Sequence, residues 1–473
     1  MSPTNPSCET TIAPIIGGSG CVDLRSWLRR LEETGRLAVM KPGAQLAFQV
    51  AGIANRFDGH KASLFPEPDG REGTVVSGVV SNRSWMAEAL DLPDADLLAH
   101  FQAAVANPLP WREIVDAPCQ EIKDTNPDLG RIPIPTHNEH DSGAYITAGL
   151  LIVRNPITGR QNVSIHRLQV SGPQRLGALL LPRHTLAFQE MAEAEGQDLD
   201  VAIVVGAGPA TLLASQAIVP LDHDELEIAG ALTGAPLPVV KCLNSEIRVP
   251  ADAEYVIEGR FLANRREPEG PFGEFPQYYG ERAERHVIEV DLVTSRRNPI
   301  FHTIVGGGLE HLLLGGIPRE ASMLADLRRN FPYVQDVHLS QGGVCRYHLY
   351  IKFRKRFEGE AKNLILAAFA AHYDIKHVVV VDEDVDIHNP REVEWAVATR
   401  FQADDLVLIS RGLGSKLDPS TDDGVGSKLG FDATRPLAAP EMRFKRIRVP
   451  GQEQIDLEAV LDVEGRLIDI IGS

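Results

Sequence analysis

Cysteine is scarce in this chain of 473 residues. The five present, Cys8, Cys21, Cys119, Cys242 and Cys345, are scattered and odd in number, and no Cys-x-x-Cys pair occurs. That excludes a disulfide framework and a cysteine-based zinc site. Long apolar runs are also missing: none approaches the roughly 20 residues that a membrane helix needs. Residues Met1–Gly20 lack a basic stretch followed by an apolar one, so no leader is read there. They are read as a loose tail on a cytoplasmic protein. Positive charge is in deficit, with 47 Lys and Arg against 65 Asp and Glu and a net charge of −18. Such a balance argues against nucleic acid or an anionic membrane as partner. It leaves room for a small anionic substrate wherever arginines gather locally. No internal repeat is present.

What the chain does have is enough apolar residue, 43%, for a large core in about two or three domains. After the tail (1–20), residues 21–120 alternate helix and strand signals. The helix read from Asp23 to Leu37 has Asp23 as its N-cap and Leu24, Trp27, Leu28 and Leu31 at helical spacing. Proline-rich residues 108–135 mark a crossing into a strand-rich middle, 121–316. There Tyr145–Arg154 and Gln161–Gln169 flank a turn at Asn155–Gly159. Further strands are read at 201–205, 238–243, 253–258, 286–293 and 300–305, which suggests a barrel-like β domain. A third unit, 317–473, alternates again: helix Arg319–Asn330, strand Cys345–Phe353, helix Ala361–Ala371, and a strand over Lys376–Val381 whose four valines are typical of burial on both faces.

Two glutamates frame a stiff loop, Glu269-Gly-Pro-Phe-Gly-Glu274. Pro271 restricts it, and Gly270 and Gly273 allow backbone to approach a ligand. Paired carboxylates in a confined space separate in proton affinity, which supplies an acid and a base at one pH; the alternative is a surface turn with two solvated acids. In Asn162-Val-Ser-Ile-His-Arg167, a straight strand puts Asn162 and Arg167 on opposite faces, so both serve one site only if the strand bends or a ligand wraps its end. Asn162, His184 and Glu225 offer two oxygens and one nitrogen, a set better suited to Mn²⁺ or Mg²⁺ beside a phosphate than to zinc. The Gly206-Ala-Gly-Pro-Ala-Thr211 stretch lacks the third glycine of a dinucleotide loop and reads more simply as a strand turning into a small-residue helix. Asp382, Asp384 and Asp386 lack the glycine and terminal glutamate of a calcium loop and are read as turn, cap and interface groups.

In order along the chain, Asn162–Arg167, Asp224–Gly230, Pro268–Glu274, Gly315–Glu320, Val381–Asp386 and Gly426–Lys428 with Asp432–Thr434 resemble the UbiD family of reversible decarboxylases. The resemblance implies an α/β multidomain protein. Its parts would be an N-terminal α/β domain, a central split β-barrel that binds prenylated FMN, and a C-terminal α/β oligomerisation domain. It implies Arg167, Glu269 and Glu274 as the catalytic network. Contacts to the cofactor would come from Asn162, Ser164, Ile165, His166, Arg167, Arg183, His184, Glu225 and Lys428. Asn162, His184 and Glu225 would hold Mn²⁺ or Mg²⁺, with Ala214, Ser215 and Glu225 around K⁺. A flavin prenyltransferase would supply the cofactor, and the protein would assemble as a homodimer or homohexamer. Position 274 is Glu where ubiquinone-pathway members carry Asp, which favours an aryl or heteroaryl carboxylate substrate. His311 and Arg319 resemble the pair that binds the distal carboxylate in furan-2,5-dicarboxylate decarboxylases, and equally could only shape the pocket. Furoate, pyrrole-2-carboxylate and hydroxybenzoate or protocatechuate types stay open. So do two other classes, a flavin-dependent oxidoreductase and a non-catalytic cofactor-binding protein.

Overall fold

The structure is a computed structural model and describes residues 23–461; the tail read over 1–20 lies outside the described residues. Continuous apolar runs in the middle of the chain are strands buried on both faces. In Tyr145–Arg154, Leu150 and Ile152 point into one core, and Leu151 and Val153 into another. Leu199–Val205 divides the same way, with Ala202 and Val204 on one side and Val201, Ile203 and Val205 on the other. This is the period-2 consequence of strand geometry. Six strands close a barrel: Tyr145–Arg154, Gln161–Gly172, Arg175–Ala178, Ala283–Ser295, Tyr255–Glu269 and Leu199–Val205, the last pairing back to the first. Every pairing within the barrel is antiparallel.

The N-terminal helix is Leu24–Glu33, shorter than read, because Thr34 and Gly35 (φ +69°) end it; Asp23 caps it through the Ser26 N–H. A four-stranded sheet follows, Leu37–Val39, Ala62–Pro66, Thr74–Ser77 and, from much later in the chain, Ile300–His302. The C-terminal sheet has five strands with His377–Val381 at its centre. Val378 and Val380 face one core, and Val379 and Val381 the other, as the valine run predicts. Helix Pro209–Ala214 follows the strand before Gly206, so that stretch is a strand turning into a small-residue helix. Asp382 and Asp384 pair with Arg400.

Two expectations need correction. The helix read over Arg319–Asn330 begins at Leu309 and carries Pro318 inside it. Proline removes one helix hydrogen bond, but burial of Leu312, Leu313, Leu314 and Ile317 outweighs the local propensity. The strand read from Cys345 begins at His348. Val344 and Cys345 have φ +52° and +49°, a left-handed turn that ordinary strand residues do not adopt.

Candidate active site

Barrel strand Gln161–Gly172 carries two sets of side chains. On one face, Asn162 Nδ2 donates to Ser164 Oγ (3.3 Å), and Ser164 Oγ lies 2.9 Å from His166 Nε2. The other nitrogen of His166, Nδ1, donates to the Leu179 carbonyl (3.2 Å). Burial holds His166 neutral, with its pKa lowered to about 4. Thr185 joins this ribbon through Asn162 Nδ2 (3.1 Å) and Ser164 Oγ (3.2 Å). His184 opens the helix His184–Ala194 and donates from Nδ1 to Asn162 Oδ1 (3.0 Å). Glu225 opens the helix Glu225–Thr233, and its carboxylate accepts the Val163 N–H (2.6 Å). Asn162, His184 and Glu225 thus gather around one end of the strand. Ile165 packs into the core instead.

Arg167 belongs to the opposite face, as period-2 geometry requires. Opposite it the neighbouring strand has a register shift between Ile146 and Gly149, an irregularity of the kind that re-aims side chains near sites. Its Nη2 donates to Glu269 Oε2 (2.8 Å) and its Nη1 to Glu274 Oε1. Phe272 from the same loop lies against the guanidinium, 5.2 Å from its carbon to the ring centroid. Tyr145 stacks on Phe272 with centroids 4.5 Å apart, and its hydroxyl donates to Gln169 (3.1 Å), which in turn accepts the Gly270 N–H (3.0 Å). Neither sequence motif nor spacing marked Tyr145 or Gln169, because their role exists only once the loop folds over the strand. Glu269 is fully buried, and the side chains of Arg167 and Glu274 are 8% and 11% exposed. Removing one partner from such a set leaves an uncompensated buried charge, which costs about 3–5 kcal/mol. Burial raises the pKa of Glu274 and outweighs the lowering by Arg167, with the Glu269 charge adding to the rise. Arg167 Nε and Glu269 Oε1 are buried without a hydrogen-bond partner; polar atoms in that state are candidates to meet a ligand.

Glu274 lines a cleft of about 400 Å³ together with Asn55, Asp58, Asn138, Gln277 and the Gly306–Gly308 loop. That loop leads straight into the helix Leu309–Asn330. Gly307 N–H donates to His311 Nδ1 (3.3 Å), and a Cβ on Gly306 would collide with the Gly273 carbonyl. The Glu269–Glu274 loop is therefore in direct contact with the loop that leads into the long helix.

Behind this contact lies a group of cations. Arg319 donates from Nη1 to the Gly315 carbonyl and leaves Nε without a partner. Arg346 donates to the carbonyls of Cys345 (3.0 Å) and Leu312 (3.3 Å). Among the described residues no carboxylate lies within ion-pair distance of either. Burial and each other's charge lower Arg319 well below its usual value and His311 to about 3. Burial also lowers Arg346, to about 10. A Cβ at Gly315 would land on the Arg346 guanidinium, so only glycine seats that arginine. Sequence reasoning found His311 and Arg319 but missed Arg346, which sits in the left-handed turn that was read as strand.

Arg183 and Lys428 border this cationic group. The charge of Arg183, an exposed residue, helps to depress both His184 and Arg319. Lys428 Nζ donates to the carbonyls of Tyr373 (2.6 Å) and Ile375 (2.8 Å), which leaves one ammonium proton for another acceptor. The residues present fit an anionic cofactor and a cation. Arginines without counter-ions suit anionic groups. Glu225 has no Lys, Arg or His within ion-pair distance among the described residues, and burial pushes its carboxyl up to about 8; a cation beside it would restore the carboxylate. Ala214 and Ser215 carbonyls each already accept one hydrogen bond, from Ala217 N–H (2.9 Å) and Gln216 Nε2 (3.2 Å), and each keeps a second lone pair.

Comparison with known proteins gives matches over most of the chain. Residues 28–105, 112–309 and 312–433 match the N-terminal, Rift-related and C-terminal domains of 3-octaprenyl-4-hydroxybenzoate carboxy-lyase. Anhydromevalonate phosphate decarboxylase of Methanothermobacter thermautotrophicus is 40% identical over 375 residues, 79% of this chain and 88% of that one. The UbiD-class enzyme HmfF from Pelotomaculum thermopropionicum, solved with FMN, superposes with a TM-score of 0.91 at 49% identity, over 93% of this chain and all (100%) of that one. An evolved dimeric form of HmfF, solved with prFMN, gives 0.87 at 46% identity, over 93% and 100% of the two chains. Domain by domain, and with the Arg167, Glu269 and Glu274 side chains joined in one buried network, this chain belongs to the UbiD family of carboxy-lyases.

Proposed function

We propose that the protein is a reversible, non-oxidative decarboxylase of an aromatic or heteroaromatic carboxylic acid, and that its substrate carries a second anionic group. Furan-2,5-dicarboxylate is the leading candidate; furoate and pyrrole-2-carboxylate are the simpler members of the same class. The observation that carries this reading is an Arg167–Glu269–Glu274 network beside Arg319 and Arg346, one loop away, which form no ion pair among the described residues. Prenylated FMN, when bound, supplies the electron sink that loss of CO₂ from an sp² carbon demands. Asn162, His184 and Glu225 would hold its phosphate through Mn²⁺ or Mg²⁺, and Ala214 and Ser215 with Glu225 would hold K⁺. Ser164, Ile165, His166, Arg183 and Lys428 would complete the cofactor contacts.

Arg167 holds and orients the reacting carboxylate with a permanently charged fork. Glu269 fixes Arg167. Glu274, whose pKa is raised by burial, delivers a proton to the carbon after CO₂ leaves and removes one in the carboxylation direction. His311, Arg319 and Arg346 take the distal anion. A second reading, decarboxylation of a phosphorylated acid, is favoured by the 40% identical relative whose name pairs a phosphate with decarboxylation; the same cations would receive the phosphate. Leu406, Leu408 and Leu413 stand exposed on the edge strand of the C-terminal sheet, which supports assembly into a homo-oligomer. None of the helices among the described residues is long and apolar enough to cross a membrane.

The test is production alongside a flavin prenyltransferase, mass analysis of the bound cofactor, and a CO₂-release screen over furan, pyrrole and benzene carboxylates and a phosphorylated unsaturated acid. Prenylated FMN in the protein, with fastest release from an acid bearing a second anion, is the expected result. Ordinary FMN with nicotinamide-dependent reduction and no CO₂ release would overturn the proposal in favour of an oxidoreductase.

A further inference from the structure

Phe275 follows Glu274 directly and stands between the cleft that Glu274 lines and the His311–Arg319–Arg346 group. Its ring is buried. The Arg346 guanidinium lies 5.2 Å from the ring centroid, the His311 ring meets it edge-on at 6.2 Å, and Tyr347 packs at 5.7 Å. Its backbone N–H lies against the Glu274 carboxylate and favours the ionised form. The turn that carries both residues is short. Glu274 N–H donates to the Tyr278 carbonyl (2.9 Å) and Gln277 N–H to the Glu274 carbonyl (2.9 Å), with Gln277 at φ +66°. Gln277, Tyr278 and Tyr279 on the far side of the turn are exposed. Burial of Phe275 therefore anchors the turn from the inner side, and Arg346 and His311 are part of what it is anchored to.

Neither Arg346 above the ring nor Arg319 forms an ion pair among the described residues; the charge of Asp374 reaches both only from beyond ion-pair distance. The charge of Arg346 works against that of Arg319; an anion held between them would offset the repulsion and fix where the Arg346 guanidinium sits. A cation over an aromatic face is attracted to it, so the ring's position depends on that of the guanidinium. A proton donor displaced by about 1 Å from its productive position loses on the order of a hundredfold in rate.

Resting on the reading that this pocket takes the substrate's distal anion, we propose that Phe275 is a positioning residue that transmits occupation of the His311–Arg319–Arg346 pocket to Glu274. A distal anion then raises turnover as well as affinity. Orienting the carboxylate and delivering the proton do not require this coupling; the contact of the Phe275 ring with Arg346 and His311 provides a route for it.

The experiment uses holoenzyme loaded with prenylated FMN and two probes, furan-2,5-dicarboxylate and 2-furoate. In the unmodified protein, kcat for the dicarboxylate should exceed that for the monocarboxylate by about tenfold or more. Phe275→Leu should bring the two kcat values within about threefold while KM for the dicarboxylate changes less than threefold. Phe275→Tyr, which keeps the ring, should restore the difference. If Leu does not fold, Phe275→Met takes its place. Thermal shift gives the separate readout of binding: the dicarboxylate should raise the melting temperature of unmodified and Phe275→Leu proteins alike, and more than furoate does. A Phe275→Leu protein whose dicarboxylate-to-furoate kcat ratio is unchanged, or which loses kcat equally on both probes, overturns the coupling and leaves the distal-anion reading intact. A dicarboxylate that stabilises the unmodified protein no more than furoate does overturns both.

Discussion

The two arginine sites differ in one respect, the company their charges keep. Arg167 shares its guanidinium with two carboxylates, and the set is nearly neutral when Glu274 is protonated. Arg346, buried, and Arg319, half-buried, meet backbone carbonyls and, for Arg346, an aromatic ring, but neither forms an ion pair with a carboxylate among the described residues. A balanced set keeps its own geometry and can pass a proton within itself. An unbalanced one is arranged for a negative charge that arrives from outside, because a buried cation without a partner is costly. In the function proposed above, the first site serves the chemistry and the second recognition.

Removing the proton donor should break the comparison most severely. Glu274→Gln is expected to lower kcat by about 10³-fold or more, within the range for lost general acid–base catalysis, with no solvent-deuterium exchange at the product carbon. The pH profile of the unmodified enzyme sharpens the same point. Because burial raises the Glu274 pKa, the acid form persists above the ordinary carboxyl range. Decarboxylation should therefore hold on the acid side and decline as pH rises through that raised value, with this limb absent in the Gln variant.

Next in size is the recognition site. Arg319→Ala or Arg346→Ala should lower kcat/KM for an acid with a distal anion by about 10–100-fold, on the order of 1.5–3 kcal/mol for a lost charge-assisted hydrogen bond. The effect on a monocarboxylate should stay within about threefold. Equal losses on both substrates, measured by steady-state kinetics, would remove the distinction between the sites.

The smallest effect concerns the cation that the Asn162–His184–Glu225 group would hold. Adding Mn²⁺ to protein freed of metal should raise the melting temperature by a few degrees through mass action, and Glu225→Gln should abolish that shift while changing the metal-free value little. Scanning calorimetry checks both.

Much of this was legible in the residues. The valine run at 378–381, the cap at Asp23 and the turn after Val205 follow from local preferences and the spacing of apolar residues. So does the separation of Asn162 and Arg167 to two faces of one strand. The ends of elements were less legible. Pro318 and the glycines before it hid the first ten residues of a helix that tertiary burial sustains, and Val344–Cys345 adopts a backbone conformation that no residue type there announces. Arg346 escaped notice for the same reason.

By itself the sequence determined the order of the motifs, the presence of two acids on a stiff loop and the continuous apolar runs that make strands with two buried faces. Those are properties of neighbours, and neighbours are written side by side. Tertiary structure alone decided which charges are paired. Arg167 finds its carboxylates 102 and 107 positions away, while Arg346 comes to rest on Phe275. The free energy of a buried charge is set by what surrounds it in space, and in this chain those surroundings come from distant segments.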